Sequence, residues 1–289
     1  MRKIALSIIA ISTLVTAGEF RYGHGTFSME GGFLGISNSI DINIDTYSMA
    51  ERHSNILKSN FFYGYDFTWM DSKILKQMEK SYNNYIPSQP NLNIPAMNYN
   101  LQGLDANINL GYDFLHKGEG DFLGLSLLLG ISIPWIDNSS DSNGGAGDIE
   151  GYYKDSKTKI STYKIGPSIS FEKSIVDDKL SIYGLATYAY QTGNIKNDYA
   201  KFDSSVNGTY QEYNIGFRYT PFTENYKLGW FTLSPRVYAT LGYKYSKWQV
   251  DDVVMDLSGG KFNSDIVAPL KTDFTMDSSV SYFGVGYSF

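Results

Sequence analysis

The chain has 289 residues, of which 42% are hydrophobic and 19% charged, and its mean hydropathy is -0.26, which excludes a bundle of membrane helices. The formal net charge of -6 argues against a nucleic-acid-binding protein, because phosphate contacts require clustered Lys and Arg. Cysteine is absent, which excludes disulfide frameworks, cysteine nucleophiles and cysteine-ligated zinc, whereas 24 Tyr and 17 Phe exceed the aromatic content usual in soluble domains.

The first 17 residues have the pattern of a cleavable secretory signal peptide. Arg2 and Lys3 precede a mostly apolar run over residues 4–17, which is too short for a comfortable membrane span. Val15 and Ala17 are acceptable at the cleavage positions. We therefore expect a signal peptide over 1–17 and a mature domain over 18–289, with no later apolar run long enough for a transmembrane helix.

Apolar and polar residues alternate along the mature chain, which is the pattern of half-buried β-strands. The alternation predicts ten long strands, with eight or twelve left open because glycines obscure the first turn. Long strands of this kind suit a tilted membrane span of about 9 to 11 residues. The predicted strands lie near residues 20–30, 38–49, 59–70, 101–114, 122–135, 159–172, 179–190, 209–220, 230–247 and 274–289.

The connections between these strands are predicted to alternate in length. Short turns are expected at 57–60, 115–120, 173–178 and 221–228, and longer loops at 71–100, 136–158, 191–208 and 248–273. A helical turn is expected within 72–81, as part of the first long loop. Outer-membrane barrels combine short periplasmic turns with longer external loops in this way.

The C-terminus carries the most specific pattern. Phe283, Val285, Tyr287 and Phe289 lie on one face of the last predicted strand, and Phe289 ends the sequence. This strand resembles the assembly signal of bacterial outer-membrane β-barrel proteins. The resemblance implies an all-β fold, a transmembrane antiparallel up-and-down β-barrel in the cell outer membrane. It also implies contact with outer-membrane lipid and with the barrel-assembly machinery; the sequence indicates no nucleic acid and identifies no external ligand.

Turning the polar faces inward predicts the side chains that line the lumen. In a narrow barrel such charges pair and plug the interior, whereas in a hydrated barrel they steer polar solutes. A plugged or very narrow lumen is favoured over a general porin, because ten strands enclose little more space than eight. The predicted lining residues are Asp41, Asp45, Asp66, Asp105, Asn107, Asn109, Asp113, Lys164, Glu212, Arg218, Arg236 and Lys244.

The function expected from these features is a narrow small-solute pore or a structural barrel that displays external loops. No cofactor, metal site or enzymatic activity is predicted. A surface adhesin without a pore remains an alternative, and so does an outer-membrane hydrolase.

The sequence positions of the three histidines, His24, His53 and His116, argue against two types of hydrolase site. An omptin-like protease needs an Asp two residues before a His in one strand, and no histidine of this chain has one. A phospholipase-like site needs a Ser and a His on the same side of a strand. His53 and Ser54 are adjacent, so they face opposite sides and cannot form that pair.

Overall fold

The computed structural model describes the long strands and their nearest connections; the predicted signal peptide and Phe289 lie outside the described residues. No helix in the described part is long and apolar enough to cross a membrane. The described residues are 18–33, 36–54, 56, 59–77, 80–82, 92–94, 97–115, 121–139, 155–176, 179–198, 202–222, 224–228, 231–233, 236–255 and 270–287.

Ten of the described strands are long, and five are three-residue segments in the connections. In chain order the strands are β1 (Gly18–Phe33), β2 (Ile36–His53), β3 (Phe61–Ser72), β4 (Leu75–Gln77), β5 (Lys80–Tyr82), β6 (Leu92–Ile94), β7 (Met97–Asp113), β8 (Phe122–Ser139), β9 (Asp155–Val176), β10 (Leu180–Asn197), β11 (Phe202–Tyr219), β12 (Tyr226–Leu228), β13 (Phe231–Leu233), β14 (Val237–Met255) and β15 (Leu270–Tyr287).

The ten long strands form a closed antiparallel barrel. Each long strand pairs with the next long strand along the chain, and β15 returns to pair with β1. The all-β, up-and-down, ten-stranded prediction is therefore confirmed. We call the end where Gly18 pairs with Tyr287 the terminal end, and the opposite end the loop end.

Two local predictions are wrong. Leu75–Gln77 and Lys80–Tyr82 are strands, not a helical turn. The predicted loop over 191–208 is mostly a continuation of the β10–β11 hairpin, which pairs as far as Asn197 and Phe202. The strands continue because their inward residues, such as Ile195 and Val206, are still buried there.

The register fixes the dimensions of the barrel. A path of directly paired residues that leaves β1 at Glu19 and passes once around the barrel returns to β1 at Gly31. The shear is therefore 31 - 19 = 12 residues. Ten strands with this shear tilt by about 40° and enclose a backbone cylinder about 20 Å across.

The outer wall of the barrel is apolar, whereas the interior divides into two layers. Ile108, Leu125, Ile169 and Ile215 are among many large apolar side chains that face outward and are exposed. Inside, the half nearer the terminal end is polar and charged. The half nearer the loop end is filled by an apolar plug, which includes Phe27, Ile42, Ile44, Met70, Leu101, Ile136, Ile160, Ile195, Val206, Trp248, Val250 and Met276.

Candidate functional site: the barrel interior

The deepest ion pair of the interior joins Asp105 on β7 to Lys164 on β9. The Lys164 Nζ atom donates to Asp105 Oδ1 at 2.5 Å, and the Lys164 side chain is 0% exposed. Asp105 also accepts hydrogen bonds from Asn107 and Ser132. Burial of two charges is tolerated only when each is compensated by good partners, and this carboxylate has three.

A second charged group lies beside the first, nearer the terminal end. Asp66 accepts from Lys244 at 2.8 Å and from Arg21 at 3.5 Å. Lys244 also lies 3.6 Å from Glu212, which accepts from the Tyr210 hydroxyl at 2.5 Å. Acidic and basic side chains from strands on opposite sides of the barrel thus meet across its centre.

A third group closes the terminal end. Glu172 on β9 accepts from Arg52 at 2.6 Å and from Arg218 at 2.7 Å. The Arg52 guanidinium lies 3.8 Å from the centre of the Phe122 ring, and the Arg218 guanidinium lies near the Tyr238 ring. Stacking on aromatic faces holds both guanidinium groups in fixed positions across the barrel.

Trp248 joins the charged half to the apolar plug. Its Nε1 donates to Ser132 at 2.9 Å, and its ring, 2% exposed, packs against Phe27 and Tyr210. A cavity of about 30 Å³ lies beneath it, bordered by Asp105 and Lys244. That volume holds about two water molecules, far less than a passage for solutes requires.

Nine of the twelve predicted lining residues face the interior. One of them, Asp113, accepts backbone N–H groups of Leu115 and Leu123, so its carboxylate caps the turn at the terminal end. The nine are Asp66, Asp105, Asn107, Asn109, Asp113, Lys164, Glu212, Arg218 and Lys244.

The other three predictions are wrong. Asp41 and Asp45 lie on the outer side of β2, because Ile42 and Ile44 between and beside them point into the apolar plug. Near the loop end the interior is apolar and the outer surface polar, so the assumption that polar residues face inward fails there. Arg236 is exposed and lies in the turn before β14, outside the strand that lines the interior.

Several interior residues were missed by the sequence analysis. Glu19 and Arg21 are buried and joined at 2.6 Å, and Arg52 and Glu172 close the terminal end. A signal for the first pair was available, since Glu19 and Arg21 alternate with Phe20 and Tyr22. Trp248 and Tyr210 carry no such signal, because buried and lipid-facing aromatic residues look alike in sequence.

The described residues of the predicted C-terminal assembly signal face outward on β15. Phe283 is 54% exposed, Val285 is also exposed, and both alternate with buried residues such as Tyr282. Tyr287 faces the same side at the terminal end, where it pairs with Gly18 and Val237. Their role in assembly stays a prediction.

The described histidines lie away from the interior. His53 contacts Glu51 at 2.7 Å near the terminal end. His24 contacts Asp45 at 2.8 Å on the outer wall. His116 lies outside the described residues.

No protein-family model and no curated protein matches the sequence. Among solved structures, the outer membrane protease OmpT from Escherichia coli matches 95% of this chain and 97% of its own, at 11% identity and a TM-score of 0.51. The translocator domain of autotransporter NalP from Neisseria meningitidis matches all of this chain and 95% of its own, at 10% identity and a TM-score of 0.38. The similarity to the protease structure and the closed ten-stranded topology show that the chain has the fold of a bacterial outer-membrane β-barrel.

Proposed function

We propose that this chain is an integral outer-membrane protein whose barrel is closed to solutes and which acts through the surface it presents at its loop end. The observation that carries the proposal is the filled interior, with Asp105 and Lys164 paired beneath the apolar plug around Trp248. The apolar outer wall supports placement in a membrane, because so much exposed apolar surface is not stable in water.

The charged half of the interior favours a barrel without conductance. Its acids and bases are bonded to each other, so few charges are left to attract an ion. Opening a path would require these pairs to be separated and the plug to be displaced, at a cost of several kcal/mol for each buried pair.

The loop end has the properties of a rigid platform. On β10 the last outward aromatic residue is Tyr190, and β10 continues for seven residues to Asn197, which at a tilt of about 40° extends the wall by about 18 Å. Lys196 and Asn194 both bond to Asp203 across the hairpin. The plug fills the inside of this extension, so it stiffens the part of the barrel that would project from the membrane.

Single-channel recording of the refolded mature chain, residues 18–289, tests the proposal. We expect no discrete openings in a planar bilayer at 100 mV, whereas a refolded general porin in the same bilayer conducts. Folding is checked by the heat-dependent shift in gel mobility that intact barrels show. Stable openings from folded protein would refute the closed-barrel proposal.

An epitope inserted between residues 199 and 200 tests the direction of the barrel in the cell. This position connects β10 to β11 at the loop end. Antibody binding to intact cells is expected. A tag between residues 177 and 178, at the terminal end, serves as the matched control and is expected to be detected only after the outer membrane is opened.

A further inference from the structure

Three adjacent strands place a serine, a histidine and an aspartate in one row on the outer wall. His24 on β1 pairs directly with Ser281 on β15 at one side and with Asp45 on β2 at the other. Residues directly opposite each other on neighbouring strands have Cβ atoms about 5 Å apart. All three lie on the outer side, since the residues that flank each of them are more buried.

The histidine is oriented by the aspartate. His24 Nδ1 lies 2.8 Å from Asp45 Oδ1, and the Tyr22 hydroxyl donates to the same oxygen at 3.0 Å. An ionised carboxylate can only accept, so Nδ1 carries a proton, and in the neutral imidazole Nε2 then keeps its lone pair. The contact with Asp45 therefore selects the neutral tautomer that a general base requires, and the His24 side chain is 61% exposed and open to a ligand.

The serine has access to the same ligand. Ser281 is exposed, and its neighbour on the far side from His24 is Tyr243 on β14, whose side chain is also exposed. The row thus runs Tyr243, Ser281, His24, Asp45 across four strands. A nucleophile, a base, a residue that orients the base and a phenol donor stand in the order that acyl transfer uses.

The row lies at the upper margin of the apolar outer wall. One step nearer the terminal end, the outward residues are Leu241, Phe283, Tyr22 and Tyr47. One step nearer the loop end, Ser279, Thr26 and Asn43 are polar, and the residue on β14 is Tyr245. In a bilayer, the acyl esters of lipids occupy this boundary between hydrocarbon and headgroups.

The wall is also lower here than on the far side of the barrel. On β15 the outward apolar residues end at Phe283, after Tyr287 and Val285. On β8 they continue through seven outward positions, from Leu123 to Trp135. A bilayer thins locally to match a short apolar wall, which brings the ester region down to the row.

We propose that Ser281, His24 and Asp45 form an esterase site that hydrolyses acyl esters of membrane lipids at the outer leaflet. It departs from the sequence-based expectation of no enzymatic activity and takes up the hydrolase alternative. It shares with the proposed function the placement in the outer membrane but does not require a closed interior.

The reaction uses water as its only co-reactant. Ser281 Oγ attacks the ester carbonyl carbon while its proton passes to His24 Nε2, and the Tyr243 hydroxyl donates to the oxyanion. The carbonyl re-forms, the bond to the lysolipid oxygen breaks, and that oxygen takes the proton from His24. Water then attacks the acyl-serine, gives one proton to His24, and releases a fatty acid as Ser281 Oγ regains the proton. Asp45 acts as a positioning residue for His24.

The test measures fatty-acid release from phosphatidylethanolamine vesicles by the folded mature chain. Wild-type protein is expected to release fatty acid and lysolipid. It is also expected to gain on Ser281 the mass of one alkyl fluorophosphonate less HF, because fluoride leaves as the Oγ–P bond forms. Ser281→Ala and His24→Gln are each expected to lower the rate at least about a hundredfold and to prevent labelling. Asp45→Asn is expected to lower kcat with little change in KM, because it alters the tautomer of His24 rather than the lipid contacts.

Ser279→Ala is the matched control, since Ser279 is the next outward residue on the same strand. It is expected to keep both activity and labelling. A short-chain nitrophenyl ester in solution separates the possible substrates: a rate on vesicles well above the rate on this soluble ester supports a lipid substrate, and the reverse overturns it. Activity of Ser281→Ala equal to wild type, or absence of both release and labelling in folded wild type, would also overturn the proposal.

Discussion

Lys164 and Asp105 show how a single buried pair controls the interior. Both side chains are nearly inaccessible and lie 2.5 Å apart. Lys164 Nζ also lies 3.9 Å from the centre of the Tyr210 ring, so its charge has a second favourable contact. Removing one partner from such a pair leaves an uncompensated charge in a dry interior, which costs far more than the pair itself contributes.

We expect Lys164→Met to lower the free energy of unfolding by about 3–5 kcal/mol, measured by urea titration in detergent micelles. Lys164→Met combined with Asp105→Leu should recover most of the loss, because no lone charge remains. Lys196→Met is the control, since Lys196 pairs with Asp203 at 2.7 Å but both are more than half exposed; it should change stability by less than about 1 kcal/mol. Equal losses for Lys164→Met and Lys196→Met would contradict this account.

At the scale of the strand, β2 shows which part of the fold can be predicted from sequence. Outward apolar residues alternate with small or polar ones in most of the barrel, so the ten strands and their order follow from period two. In β2 the pattern reverses near the loop end, where Ile42 and Ile44 enter the plug and Asp41 and Asp45 face outward. Local alternation predicts a strand but not which of its two faces points into the barrel. The inward face depends on the residues that the other nine strands place at the same height.

The proposed site on the outer wall could not be predicted from sequence for a related reason. Ser281, His24 and Asp45 are far apart in sequence, and only the register of β15, β1 and β2 aligns them. The adjacent residues His53 and Ser54 have similar chemistry, but neighbouring positions along a strand face opposite sides. Register is set by closure of the whole barrel, which no single strand encodes.

The seam between β1 and β15 depends on Gly25. A Cβ atom at this position would lie 1.9 Å from the backbone oxygen of Ser279, so the two strands approach too closely for any other residue. We expect Gly25→Ala to cost about 1–3 kcal/mol and to slow closure of the barrel, measured as the rate at which the folded gel band appears. Gly31→Ala in the same strand would meet only the Phe274 ring, which can move, so it should have the smaller effect; the opposite order would be evidence against a tight seam at Gly25.

At the scale of the whole molecule, the apolar outer wall ends at different heights on different strands near the loop end. With a shear of twelve and a tilt of about 40°, Ile131 on β8 and Ser279 on β15 lie at about the same distance along the barrel axis. Ile131 is followed by two more outward apolar residues, Ile133 and Trp135, whereas Ser279 already lies above the last apolar residue of its strand. If the membrane follows the wall, one of these positions is in hydrocarbon and the other in the headgroup layer.

Arginine at each position measures this difference directly. We expect Ile131→Arg to destabilise the folded barrel in lipid vesicles by about 2–4 kcal/mol and Ser279→Arg by less than about 1 kcal/mol, because arginine is costly in hydrocarbon and tolerated at the interface. In detergent micelles, which adapt to the protein, the two variants should differ less. Equal costs in vesicles would mean that the bilayer has one thickness around the barrel, and the ester region of the lipids would then lie above the row of Ser281, His24 and Asp45 rather than beside it.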